Sequence, residues 1–111
     1  MYISFNKLED KLIVSIMGEL DHHSSEEVRS KIDDRLERDN INKLIMDFSN
    51  VSFMDSSGIG VVIGRYKKLL TRKGTICIIR VNKSVRRVFE LSGMFKIINI
   101  YDDLETALKC I

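Results

Sequence analysis

A chain of 111 residues, 44% hydrophobic and without proline, is sized for one domain around one core, so residues 1–111 are expected to fold as a single unit. The longest apolar runs, Leu12 to Met17 and Ile76 to Ile79, fall far short of the roughly 20 residues that cross a bilayer, and the opening MYISFNKLED has no secretory apolar region. That pattern excludes a membrane span and places the protein in the cytoplasm. The two cysteines agree: Cys77 lies inside the apolar run TICIIR and Cys110 is next to last, so neither belongs to a CxxC pair or a metal spacing.

The net charge of +2 is small, but its distribution is uneven. Residues 1–55 hold twelve of the sixteen carboxylates, whereas no acidic residue lies between Ser56 and Phe89, a span that carries basic residues from Arg65 to Arg87. Cations near helix C-termini and on a solvated face explain such a run, because they complement the helix dipole. The sharper alternative is a surface for an acidic partner.

In chain order, YISFNKL and KLIVSIMGEL are rich in β-branched and aromatic residues and are separated by Glu9 and Asp10, which predicts an opening hairpin. Ser24 and Glu27 have capping-box spacing, and Val28, Ile32 and Leu36 repeat every fourth residue, so a helix is expected over about 25–38. KLIMDFS, residues 43–49, is too short for a helix and reads as a buried strand. After SFMDSS, the spacing of Ile59, Val62, Ile63, Tyr66, Leu69 and Leu70 predicts a second helix that Gly74 stops. TICIIRV is a further buried strand, KSVRRVFELSG a helix ending at Gly93, FKIINIY a final strand, and residues 102–110 a last helix with acidic residues at its start.

Strands that alternate with helices require crossover connections, which argues for an α/β fold: a mixed, mostly parallel sheet of four or five strands carrying about four helices. Helices of that number can cover the sheet of so small a domain, so a monomer is expected. Binding groups in such sheets gather where strands lead into helices. Two loops stand out there, GELDHHSSEE after the second strand and SFMDSSGIG after the third.

The second loop brings several chemistries to mind. Ser56 or Ser57 with His22 or His23 and Asp21 or Asp55 supplies the residue types of a hydrolase triad, but the glycine two positions before a nucleophilic serine is missing. GIGVVIG has its third glycine one residue too late for a dinucleotide fingerprint and no phosphate-loop lysine; Gly58 and Gly60 read instead as places of close backbone approach, and Gly64 as room where the helix meets the sheet. Adjacent His22 and His23 cannot easily direct both rings at one metal ion, so no metal site is expected. The basic span lacks interleaved surface aromatics, which counts against nucleic acid. A serine hydroxyl at a helix N-terminus, in a glycine-flanked loop open to another protein's active site, is suited to phosphorylation; its plainer role is that Ser56 caps the helix.

GELDHHSSEE, SFMDSSGIGVVIGRYK and RRVFELSGMFKI, in that order over nearly the whole chain, resemble the STAS-domain anti-sigma factor antagonists, with GELDHH and SGMFKI nearest to the antagonists of anti-sigma F factors in endospore-forming bacteria. The resemblance implies a STAS fold and a non-enzymatic switch. The unphosphorylated form binds an anti-sigma factor that is also a serine kinase and so releases the sigma factor; phosphorylation of Ser56 ends the binding, and a serine phosphatase resets it. ATP and magnesium belong to the kinase, and the chain itself needs no cofactor. The resemblance further implies partner contacts at Asp21, Ser57, Gly58, Ile59, Gly60 and Arg65. Asp21 would pair with a partner arginine or, more plainly, cap the first helix; Ile59 would offer an apolar contact or fill the core; Arg65 would face the partner or solvent.

Overall fold

The computed structural model describes residues 1–111. Its elements in chain order are strands β1 (Tyr2–Leu8) and β2 (Lys11–Leu20), helix α1 (Ser25–Asp39), strand β3 (Lys43–Met54), helix α2 (Ser56–Leu70), strand β4 (Thr75–Ile79), helix α3 (Lys83–Ser92), a 3-10 turn (Met94–Lys96), strand β5 (Asn99–Tyr101) and helix α4 (Leu104–Cys110). The five strands lie in sequence order; β1 and β2 are antiparallel and every later pair is parallel.

That order positions the site. Three successive parallel crossovers that advance in one direction across a sheet, each right-handed, put their helices on one face. Val28, Ile32 and Leu36 of α1, Val61, Val62 and Leu69 of α2, and Val85 and Phe89 of α3 accordingly share one core with Leu12, Val14, Ile16, Leu44, Met46 and Phe48 of the sheet. Phe89 packs its ring 5.8 Å from that of Phe48. On the other face α4 closes a smaller cluster in which Ala107 lies over Ile13, Ile45, Cys77 and Ile79. Burial there pushes the Cys77 thiol up to about 12, with Cys110 adding to the shift, so it stays a neutral packing group. The common handedness also brings the β2–α1, β3–α2 and β4–α3 junctions to a single edge.

Several boundaries depart from the sequence pattern. Strand β3 runs on past Ser49 to Met54, because Val51 and Met54 turn inward and the extension pairs with residues 17–20 of β2 across two irregularities in register. FKIINIY yields a strand only at Asn99–Tyr101. Gly93 takes the left-handed conformation (φ +78°) and sends the chain into the 3-10 turn, which buries Met94 and leaves Phe95 and Ile97 exposed. The capping box is not made: Ser24 Oγ donates to the Glu19 carbonyl (2.7 Å) and accepts from the Asp21 N–H (3.1 Å), while Glu27 pairs with Lys31 (3.7 Å). Of the expected close approaches, only Gly58 is crowded; a Cβ there would meet the side chains of Met54 and Leu20, whereas Gly60 and Gly64 face open space. Gly74 does end the second helical segment, its N–H bonding to the Leu69 carbonyl (2.8 Å) and its Cα side lying against the Asn42 backbone.

Part of the basic span is shared out among carboxylates of other elements, while Lys67, Lys73, Lys83 and Arg87 make no ion pair. Lys68 and Arg72 reach Glu37, Arg80 reaches Asp47 (3.3 Å) and Arg86 reaches Asp102 (3.7 Å). It is no single basic face.

At the opposite edge, Lys43 (2.9 Å) and Lys11 (3.0 Å) converge on Asp10 beside the hairpin turn. The Lys43 contact first, then Lys11, holds the Asp10 carboxyl down at about 2. Because this folded value is below the ordinary one of about 3.9, the contribution of Asp10 to stability is complete above about pH 4 and disappears as pH falls through about 2. Asp10→Asn should therefore melt below the parent at pH 6, with the gap narrowing under pH 4 and closing near pH 2 in a series of thermal melts.

Candidate functional site

Asp55 ends the β3–α2 connection in extended conformation (φ −110°, ψ −169°) and is the N-cap of α2. Its Oδ1 accepts from the Ser57 N–H at 2.8 Å, satisfying one of the first-turn donors that have no helical partner. The other oxygen, Oδ2, accepts from the His22 N–H at 3.3 Å, and the Asp55 N–H donates to the Leu20 carbonyl at 3.4 Å. One residue thus caps the second helix and ties it to the β2–α1 loop. Asn82 repeats the device at the next junction. It caps α3 through its Oδ1 and the Val85 N–H (2.9 Å), and its Nδ2 donates to the Val51 carbonyl (2.9 Å).

With Asp55 as the cap, Ser56 is the first residue of α2, not its cap, and its side chain is exposed at the edge. Ser57 is half-buried and, with Gly60, Val61, Ser25, Glu26 and Arg29, lines a shallow concavity of about 250 Å³ between the first turns of α1 and α2. Two neighbouring serines therefore have different surroundings: one hydroxyl points to solvent and the other into a cleft.

Asp21 stands beside them in the β2–α1 loop. Its Oδ1 accepts from the N–H groups of His23 (2.9 Å) and Ser24 (3.1 Å), so the loop carboxylate organises the approach to α1. Partial desolvation raises its pKa, but these N–H bonds and the Ser24 hydroxyl outweigh it, and Asp21 stays below the ordinary carboxylate range. The expected cap of α1 is not made, since Ser24 is the N-cap and Asp21 bonds only groups of the loop. No hydrogen bond engages Asp21 Oδ2, which stays open to a partner cation. His22 and His23 are exposed, with ring centroids 5.5 Å apart and edge to face.

The edge therefore brings together Asp21, Ser56, Ser57 and Gly60. Gly58 is buried against Met54 and Leu20, and Ile59 is half-buried against the main core. Arg65 does not join them. It is 6% exposed, and its Nε lies 2.8 Å from Asp33 of α1 without the alignment of a hydrogen bond, an ion pair rather than a donor–acceptor contact. Burial draws its pKa down and Asp33 draws it back, so the guanidinium remains charged. Lys68 extends the pairing to Asp33 (3.8 Å) and Glu37 (3.3 Å). The reason Arg65 faces neither partner nor solvent is the acidic α1 packed on that side of α2, a neighbour that helical periodicity alone does not reveal.

Residues 2–107 match the model of the STAS domain. The chain belongs to the STAS-domain family. Among known proteins, this STAS domain is 43% identical over 97 residues to an anti-sigma F factor antagonist of Paenibacillus polymyxa, covering 87% of this chain and 83% of that protein. It is 30% identical to an anti-sigma-B factor antagonist of Listeria monocytogenes serovar 1/2a, over 82% and 79% of the two chains. Its fold superposes on the Bacillus cell fate determinant SpoIIAA in the phosphorylated form with a TM-score of 0.76 and 29% identity, covering 97% of each chain.

Asp55 and Asn82 are the organising residues; a search for reactive groups takes Asp55 only as a possible triad carboxylate and passes over Asn82. Their signal is an Asp or Asn directly before a helical apolar pattern. Asp55→Ala should lower stability by about 1–2 kcal/mol, the usual cost of losing an N-cap, whereas Asp55→Asn should keep most of it. Hydrogen exchange separates the two roles: the Ser57 amide should exchange faster only in the alanine variant, and the His22 amide in both, since an Asn side chain offers one acceptor atom in place of two.

Proposed function

We propose that this STAS domain is an anti-sigma factor antagonist controlled by phosphorylation of Ser56. The observation that carries the reading is the exposed hydroxyl of Ser56 on the first residue of α2, on the edge where Asp55 holds the β2–α1 and β3–α2 loops together. Its unphosphorylated form binds an anti-sigma factor with serine kinase activity and releases the sigma factor held there. The GELDHH and SGMFKI segments and the 43% identity to an anti-sigma F factor antagonist favour sigma F. The switch works in the cytoplasm on a monomer, with ATP and magnesium supplied by the kinase.

The chemistry follows from position. For transfer, the kinase must bring the γ-phosphorus of ATP to about 3–3.5 Å from Ser56 Oγ. The hydroxyl attacks, the bond from that phosphorus to the bridging oxygen of ADP breaks, and the serine proton passes to a base of the kinase. The new phosphate adds roughly −1.5 to −2 charges, which the N-terminus of α2 tolerates through its dipole. Within the complex it faces the phosphates of ADP. Two like unit charges 4 Å apart at an effective dielectric of about 20 repel by about 4 kcal/mol, and about 2.7 kcal/mol already weakens binding a hundredfold. Fold and switch are thus compatible: the modification leaves the domain intact and ejects the partner. A serine phosphatase hydrolyses the ester and restores binding. Asp21, with one free carboxylate oxygen, receives a partner arginine, and the open surface at Ser57 and Gly60 lets the kinase backbone approach. Gly58 acts from beneath, keeping α2 close to Met54, and Ile59 shows the partner only its exposed part.

Incubation with the host's anti-sigma kinase and magnesium ATP, followed by phosphopeptide mapping, should find one phosphate on Ser56, lost in Ser56→Ala and kept in Ser57→Ala. No incorporation into the parent would overturn the reading. Ser56→Asp, with a charge nearer −1, should weaken kinase binding by about tenfold or more in a titration, while its melting temperature stays close to the parent's.

A further inference from the structure

We infer that the kinase partner also docks on an apolar strip of the open sheet face formed by Tyr2, Met17 and Phe53; the inference rests on the function proposed above. These side chains are 70%, 51% and 49% exposed. Single exposed apolar residues need no explanation, but strand register makes these three neighbours. Tyr2 of β1 is directly opposite Met17 of β2, and Phe53 of β3 is opposite Glu19, two residues from Met17 on the same face. They lie on the α4 side of the sheet, opposite the core residues Ile16, Leu20 and Met54. Helix α4 does not reach them. Its seven residues span about 10 Å and cover Ile13, Ile45, Cys77 and Ile79, the half of the face away from Ser56.

The occupant follows from continuity with the kinase site. Phe53 precedes Ser56 by three positions and Glu19 precedes Asp21 by two, so the strip rises to the same edge. A specific complex covers roughly 800 Å² of each partner, a disc about 16 Å in radius, far more than the loops around Ser56 provide. The whole domain measures only 31 × 27 × 23 Å, so a footprint centred on Ser56 must spread down one flank. On the helix flank the contact at Ser57 and Gly60 stays near the edge, because Gly64, one turn further along α2, again has no side chain to bury. On the sheet flank it meets Tyr, Met and Phe, the residue types enriched in interface cores. Of the other exposed apolar side chains, Leu91 is in the last turn of α3 with Phe95 and Ile97 just past it, Leu70 ends α2 and Leu8 ends β1, all away from this edge.

A docking contact remote from the reacting hydroxyl acts alike on ground and transition states, so its loss raises KM and leaves kcat unchanged. With the host's anti-sigma kinase and magnesium ATP, Met17→Ser and Phe53→Ser should each raise the KM for phosphorylation of Ser56 by about tenfold, the effect of losing one anchor side chain, with kcat and melting temperature unchanged. Leu91→Ser should change neither constant. Unaltered KM in both strip variants, with normal phosphorylation of the parent, would overturn the strip alone and leave the function standing. A parent that the kinase does not phosphorylate would overturn both. A parent that sediments as a dimer, and Met17→Ser as a monomer, would assign the strip to a second copy of this chain and overturn its assignment to the kinase.

Discussion

The carboxylate of Asp55 accepts two backbone N–H groups from different parts of the chain, Ser57 in its own helix and His22 thirty-three residues earlier. The first bond starts α2 and the second fixes the neighbouring loop against that start. Everything proposed for the edge requires both. Ser56 is placed on the first turn because the residue before it is the cap, and Asp21 stands near Ser56 because His22 is held. A partner that reads Ser56 and Asp21 together meets a surface whose shape was fixed before it arrived, which lowers the entropy lost on binding.

Beneath that edge, the sheet makes the arrangement possible. Sequential parallel strands with crossovers of one hand deliver three helix N-termini to the same side, and each of the two later caps bonds back to an earlier part of the chain. The ion pairs between α1 and α2 serve the same end from the helix flank. Arg65 is buried against Asp33, and Lys68 and Arg72 meet Glu37, so the two helices that flank the concavity beside Ser57 are held together. An exposed pair would contribute little; Arg65, nearly out of solvent, is the short contact of Asp33, and its removal would leave that carboxylate only the longer one to Lys68.

The reactive-looking residues divide cleanly by surroundings. Ser56 and Ser57 are adjacent and chemically identical, yet one is exposed and the other half-buried beside Arg29 and Glu26. Gly58 and Gly60 belong to one motif, yet only Gly58 is packed against side chains. The glycine pattern that resembles a nucleotide fingerprint is thus divided between a packing contact and an open helix face.

The sequence by itself determined the element order, the opening hairpin, the apolar stripes of α1 and α2 and the prominence of the two loops, because each of these is written in local periodicity and turn chemistry. The STAS resemblance was carried by motifs spread from GELD to SGMFKI. What only the tertiary structure decided were features that depend on neighbours distant in the chain. Strand β3 lengthened because β2 offered residues 17–20 to pair with, and Ser24 left its capping box to bond Glu19. Arg65 turned inward because α1 placed Asp33 beside it. Asp55 became the tie between loops because sheet order put His22 within reach. Periodicity records which side of an element is buried; it does not record which charged group lies across the gap.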